Sequence, residues 1–170
     1  MSEALAVHEA YRRGDLNALR ELLGDPPDFP NCRGPAGTGE IVLEYAIYHS
    51  PLVFVRTLLE LGAEPNYEDH AGFPSLIAAL SADRADRYEI IDLLLGSGAD
   101  IQQRGLHDWT PLHYAAATDD VKAIDLLLAR GADATARTRI DDRATPIEEA
   151  EILGRSEAVR ALRSWRRGDL

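Results

Sequence analysis

Cysteine is almost missing from this chain. Cys32 is the only one in 170 residues, which excludes an internal disulfide framework and fits a reducing compartment. The five histidines include no pair at His-x-x-x-His spacing, and Cys32 has no second cysteine, so the usual zinc patterns are missing. Lysine is as scarce as cysteine, with Lys122 alone, and the net charge of −11 argues against a nucleic-acid partner. No apolar run approaches the length of a membrane helix. The opening Met1-Ser2-Glu3-Ala4 lacks the basic and apolar regions of a signal peptide, so the expected location is cytoplasmic, with no membrane partner. Gly37-Thr38-Gly39 is not followed by the Gly-Lys-Ser/Thr of a phosphate loop. Arg33 beside Cys32 could lower the thiol pKa, yet nothing marks a histidine base for it. The pairs Glu148-Glu149 and Asp141-Asp142 read as solvated faces rather than as a general acid and base. Neither an enzyme nor a bound cofactor is expected.

What the chain does have is a period. Leu93-Leu94-Leu95-Gly96-Ser97-Gly98-Ala99-Asp100 returns 33 residues later as Leu126-Leu127-Leu128-Ala129-Arg130-Gly131-Ala132-Asp133, and Leu58-Leu59-Glu60-Leu61-Gly62-Ala63-Glu64 precedes both. A second signal runs in phase: Thr110-Pro111-Leu112-His113-Tyr114-Ala115-Ala116 and Thr145-Pro146-Ile147-Glu148-Glu149-Ala150, with looser copies around Leu43 and Leu76. Aligning Leu43, Leu76, Leu112 and Ile147 gives steps of 33, 36 and 35. A period of this length means one supersecondary unit stacked on copies of itself, an architecture that presents extended surfaces more often than pockets.

Residue chemistry sets the layout of one unit. Thr110 and Thr145 suit a helix start, and Pro111 and Pro146 fit the first helical position, where no amide donor is needed. Ala115, Ala116 and Ala117 let the first helix approach its neighbours. Val121, Ile124, Leu127 and Leu128 give the second helix an apolar face, and Gly131 suits a left-handed residue at its end. Three extra residues fall within 81–87, and the segment 138–143 is lengthened by two, both in loops, where a stack tolerates insertion. The longer finger is read either as a binding feature or as loop drift.

Thr-Pro-Leu-His-x-Ala followed by a leucine run and Gly-Ala-Asp resembles the ankyrin repeat, over about residues 3–166. The resemblance implies an all-α solenoid of helix-turn-helix units with short β-hairpin fingers. On that reading the chain is one domain: a capping helix pair over 3–24, an irregular linker over 25–39, middle repeats at 40–67, 68–104 and 105–137, and a closing repeat at 138–166. It gives His113 a structural role, bonding the Thr110 hydroxyl and nearby backbone. His70 and His107 could come near each other on neighbouring fingers, yet no metal is expected.

The resemblance further implies a protein partner, held on a concave face of finger tips and inner helix ends. Tyr48, His70, Phe73, Leu106, His107, Trp109, Arg139, Asp141 and Asp142 are the expected contacts, with Tyr11, Tyr67 and Ala117 further candidates. Trp109 and Phe73 would anchor, with Glu68, Asp69, Asp108, Asp141 and Asp142 around them. The alternative for Trp109 is packing on its own finger and the neighbouring helix. Residues 1–144 carry the whole charge deficit, which favours a basic partner, although an acidic surface also serves solubility alone. A monomeric adaptor or inhibitor is the expected function. The other reading is a regulatory subunit, or a small enzyme with its site on the same face.

Overall fold

In a computed structural model, described over residues 2–34, 40–68, 73–140 and 142–168, the chain folds as five successive helix pairs. They are α1 (Glu3–Arg13) with α2 (Leu16–Leu22), α3 (Val42–His49) with α4 (Leu52–Glu60), α5 (Ser75–Ser81) with α6 (Arg87–Gly96), α7 (Pro111–Ala117) with α8 (Val121–Ala129), and α9 (Pro146–Ile152) with α10 (Ser156–Gly168). The first helix of each pair packs on the first helix of the next, α1 through α9 in order. Ala46, Ala78, Ala79, Ala115, Ala116 and Ala150 sit fully buried at these contacts. A methyl group is all that fits where helix axes come so close. Leu43, Leu58, Leu94, Leu112 and Leu127 fill the space between first and second helices, and none of them touches solvent.

Local chemistry starts and stops the helices as the sequence indicates. Thr110 and Thr145 each close a capping box with the residue three further on, His113 and Glu148, and Pro111 and Pro146 occupy the first helical position. Asp15 and Asp120 cap the second helices α2 and α8. Gly62, Gly98 and Gly131 follow α4, α6 and α8 with φ of 93°, 92° and 88°, a conformation that any side chain would strain.

Side chains staple each turn to the next. The Asn31 amide donates to the Gly62 carbonyl at 3.0 Å and accepts from the Glu64 N–H at 2.7 Å. One repeat later Asn66 does the same to Gly98 and Asp100, at 2.9 and 2.6 Å. A carboxamide mimics a peptide unit, so each Asn extends backbone hydrogen bonding between units that share no sheet. The three extra residues between α5 and α6 serve a similar end: Arg84 pairs with Asp86 and donates to the Ile47 carbonyl at 2.8 Å, satisfying a carbonyl left open near the end of α3.

Among the described residues the fingers carry no strand; the one isolated bridge joins Arg33 to Ile41. Two fingers close instead on a main-chain bond, Gly105 N–H to the Trp109 carbonyl at 2.9 Å and Thr138 N–H to the Ala144 carbonyl at 3.0 Å. Three residues offered as contacts are core residues: Tyr11, Tyr67 and Ala117 are buried. Tyr11 packs against Tyr45 and Phe54, so the helix face judged open is the face that stacks. Cys32 is also buried. Burial, with the nearby Asp28 charge, pushes its thiol up rather than down, and Arg33 does not reverse this.

Candidate functional site

The finger at 105–109 is built to hold Trp109 in place. A single 3-10 turn, Leu106–Asp108, contains two consecutive left-handed residues, His107 at φ 56° and Asp108 at φ 59°. Such a pair is tolerated only where its surroundings over-determine it. Here the clamp is the Asp108 carboxylate. Its side chain is only 9% exposed and takes Arg104 at 2.8 Å, the Arg139 main-chain N–H at 2.6 Å and the Arg139 Nε at 3.0 Å. Burial alone would raise the Asp108 pKa, but the bonds from Arg139 and the charge of Arg104 outweigh it and hold the group below the usual carboxylate range. Arg104 also donates to the Arg137 carbonyl at 3.0 Å. The two fingers 105–109 and 137–144 are thus tied side by side.

His113 ties the same fingers from beneath. Its Nε2–H donates to the Ala144 carbonyl at 3.0 Å, which leaves Nδ1 to accept from Thr110 Oγ1 at 2.8 Å. Burial keeps the ring neutral, lowering its pKa. This is a structural role.

On this platform the Trp109 ring lies 5.0 Å from His107 and edge-on to Tyr114 at 6.3 Å. The indole is half-buried, so it packs on its own repeat and still faces a cavity of about 330 Å³ lined by His107, Trp109, Thr138, Asp142, Glu149 and Leu153. Leu153, which lines the cavity, is 41% exposed, and Leu106, Ile140 and Ile152 are exposed as well.

The other expected contacts separate into groups. His107, Trp109 and Asp142 come together at this cavity, while Leu106, next to His107 in the chain, is exposed and does not line it. Tyr48 lies further along the stack, half-buried, its hydroxyl bonded to Ser81 Oγ at 2.8 Å. Phe73 is half-buried against the core. Arg139 is exposed but engaged by Asp108, and Asp108 itself is no rim charge, because both its oxygens are taken inside the clamp. His70, Asp69 and Asp141 lie outside the described residues.

Sequence reasoning passed over Glu149, Leu153, Tyr45 and His8. Tyr45, Ala78, Tyr114 and Glu149 each stand two positions after the aligned Leu43, Leu76, Leu112 and Ile147, a register in which Ala78 is buried and the other three are partly open. That register was the available signal. Near the other end of the row, the Tyr45 hydroxyl pairs with His8 Nδ1 at 2.8 Å, and the His49 ring lies 4.4 Å from Tyr45. Burial, then the charges of His8 and Arg84, lower the His49 pKa.

A second, larger groove of about 770 Å³ lies between α4 and α6, where Leu52, Leu59 and Leu93 alternate with Arg56, Glu60 and Asp92. An Arg130–Asp92 ion pair of 2.7 Å crosses it. Among the described residues no group of three His, Cys, Asp or Glu is placed to hold a metal ion. No described helix is long and apolar enough to cross a membrane.

A family model described as ankyrin repeats in three copies matches residues 7–105 and 75–168. Among similar proteins, a transient receptor potential cation channel subfamily A member 1 homolog from Caenorhabditis elegans is 29% identical over 139 residues, 69% of this chain and 11% of that protein. The RelA-associated inhibitor of Mus musculus is 33% identical over 88 residues, 52% of this chain and 10% of its own length. Inversin of Canis lupus familiaris is 28% identical over 161 residues, 95% of this chain and 14% of its own. The chain therefore spans only a small part of each of these relatives.

Proposed function

Because the chain belongs to the ankyrin-repeat family, a family of protein-interaction modules, we propose that it is a non-catalytic adaptor or inhibitor holding one protein partner on its concave finger face. The observation that carries this reading is Trp109. A large amphipathic side chain stands on a doubly clamped finger and lines a cavity together with the exposed Leu153. Anchors held rigid before binding lose little entropy on binding, and such residues dominate interface energies.

Tyr48, Phe73, His107, Arg139 and Asp142, with His70 and Asp141, complete the proposed surface. The net charge of −11 supports a basic partner, and the buried, free Cys32 supports a reducing, cytoplasmic setting; we take the protein to act as a monomer. An inhibitory outcome draws support from one relative, which is by name a RelA-associated inhibitor. No cofactor is called for, and a thiol raised by burial is a poor nucleophile.

The test is affinity for the partner recovered from the native lysate, wild type against Trp109→Ala. The expected loss is ~2 kcal/mol or more, about thirtyfold, with the melting temperature little changed. Equal affinity would move the interface to the second-helix faces.

A further inference from the structure

The second helices hold a surface of their own. We propose that the groove between α4 and α6 receives one amphipathic helix of a partner, with a leucine-type face and a flank of basic, acidic and basic residues in that order. None of the lining residues belongs to a finger, so this is a second docking surface, independent of the finger-face reading. The groove, of about 770 Å³, is floored by Leu52, Leu59 and Leu93, each half-buried against the core with its outer side uncovered.

Gly96, at one end of this floor, answers no need of the fold. It is the last residue of α6, and the left-handed position that ends the helix belongs to Gly98, at φ 92°. A β-carbon on Gly96 would meet nothing within 4 Å. The residues that stand two before the aligned Gly62 and Gly131 are Glu60 and Ala129, so other units carry a side chain there. A glycine inside a helix weakens it and leaves the backbone open to close approach. The neighbour that gains from that opening lies outside the chain. The three extra residues between α5 and α6 fall in the same unit.

Backbone hydrogen bonding selects a helix as the occupant. The main-chain groups of α4 and α6 bond within their own helices, and among the described residues no strand borders the groove. An extended segment laid there would lose water from its N–H and C=O groups and gain no partner for them. A helix arrives with those groups already paired and sets a row of apolar side chains between the two ridges. The nine residues of α4 span about 13 Å, which roughly three turns of a partner helix cover.

Charge sets the order of the flank. Among the described residues Arg56, Glu60 and Glu89, all on the lining, have no hydrogen-bond or ion-pair partner. The cations around them are engaged: Arg130 with Asp92 at 2.7 Å, Arg87 with Asp120 at 2.8 Å, Arg84 with Asp86, and Lys122 over the Tyr88 ring. Asp125, exposed on α8 in the register of Asp92, adds one more open carboxylate. Glu89, Arg56 and Glu60 precede the aligned glycine of their own unit by nine, six and two residues. The open charges on the lining therefore run negative, positive, negative along the groove. A helix with basic, acidic and basic residues about one turn apart meets all three in either chain direction. A purely apolar helix would strip water from them and return nothing.

The experiment is an amide titration by NMR on the full chain, with stapled helical peptides of about 14 residues that carry leucine at i, i+4 and i+7. One has lysine, glutamate and lysine along the flank, a second has glutamate, lysine and glutamate, and a third keeps the first flank but has serine for leucine. The first should shift the Gly96 and Ser97 amides saturably, the second should bind weaker by roughly fivefold or more, and the third should not bind. Arg56→Gln, Glu60→Gln and Glu89→Gln together should erase the difference between the two charge orders, as should salt of about 0.5 M. Gly96→Leu should abolish binding of the first peptide yet melt at or above the wild-type temperature, because leucine favours a helix where glycine does not. Trp109→Ala should leave the peptide affinity unchanged.

Full affinity in Gly96→Leu overturns the proposal, as do equal affinities for the two charge orders at low salt, or no saturable shift with any peptide. A lowered melting temperature in Gly96→Ala would show that the glycine serves the fold, and overturns it too. Binding lost in Trp109→Ala and kept in Gly96→Leu would seat the helix on the finger face, which removes the groove and leaves the finger reading standing.

Discussion

Replacing His113 by alanine should be among the most damaging single changes in this protein, and its cost can be worked from the clasp. Three buried polar groups lose a partner with the ring, although the Ala144 carbonyl keeps the Thr138 N–H and Thr110 Oγ1 keeps the His113 main-chain N–H, so the Thr110 N–H is the group left stranded. Ala144 O accepts from Nε2 at 3.0 Å, Thr110 Oγ1 meets Nδ1 at 2.8 Å, and the Thr110 N–H reaches Nδ1 at 3.3 Å. Thr110 and Ala144 are almost wholly buried, so water does not simply take over. A stranded buried group costs about 1–3 kcal/mol, and the void left by the ring adds to that. Allowing for partial relaxation, His113→Ala should lose ~3–5 kcal/mol. His113→Gln, which keeps a donor and an acceptor, should lose less. Urea titration by circular dichroism measures both.

The pH dependence carries a sign. Burial lowers the His113 pKa below its usual 6.5, so the unfolded chain takes up that proton first as pH falls. Stability is then complete above about pH 6.5 and declines as pH drops through the lowered folded value, by at most ~1.4 kcal/mol per pH unit for one proton. His49, lowered mainly by burial, acts in the same direction. His113→Gln should therefore flatten, but not abolish, the loss between about pH 7.5 and 5.5. A cost below ~1 kcal/mol for His113→Ala, or an unchanged pH slope in His113→Gln, would refute the clasp as a stabilising element.

Other substitutions test other links. Leu127→Ala and Leu112→Ala, both fully buried, should each cost ~2–5 kcal/mol in denaturant midpoints; unchanged midpoints would mean that the packing faces are misassigned. Asp108→Asn removes the charge that holds Arg104 and Arg139, and should cost ~1–3 kcal/mol and speed amide exchange at Trp109. The Asp108 pKa is lowered, so the wild-type benefit is present above the ordinary aspartate range and disappears as pH falls through the lowered value, whereas the Asn variant lacks that step. Gly131→Ala places a β-carbon where nothing lies within 4 Å, but at φ 88°. It should cost ~1–2 kcal/mol through backbone strain alone, and a neutral melt would contradict the left-handed assignment.

Much of the architecture is local and so was readable from the chain. Thr-Pro at a helix start, alanines where helices touch, a leucine run and a left-handed glycine each act within a few residues, and their repetition at 33 to 36 residues forces stacking. The family model confirms that reading. The surface was less legible. Tyr11 and Tyr45 look alike in sequence, yet α3 packs over Tyr11 and buries its hydroxyl, while Tyr45 stays half-open and pairs with His8. Asp108 was placed among the rim charges, and it became a clamp because Arg139, 31 residues away, arrives beside it. Glu149 looked like one of a solvated acidic pair until α9 brought it to the cavity that Trp109 also lines. Helix propensity, caps and turns depend on neighbours in the chain, which a sequence displays. Which charge meets which partner, and which aromatic remains exposed, depends on groups that touch only after the units have stacked, and the tertiary structure alone decided those.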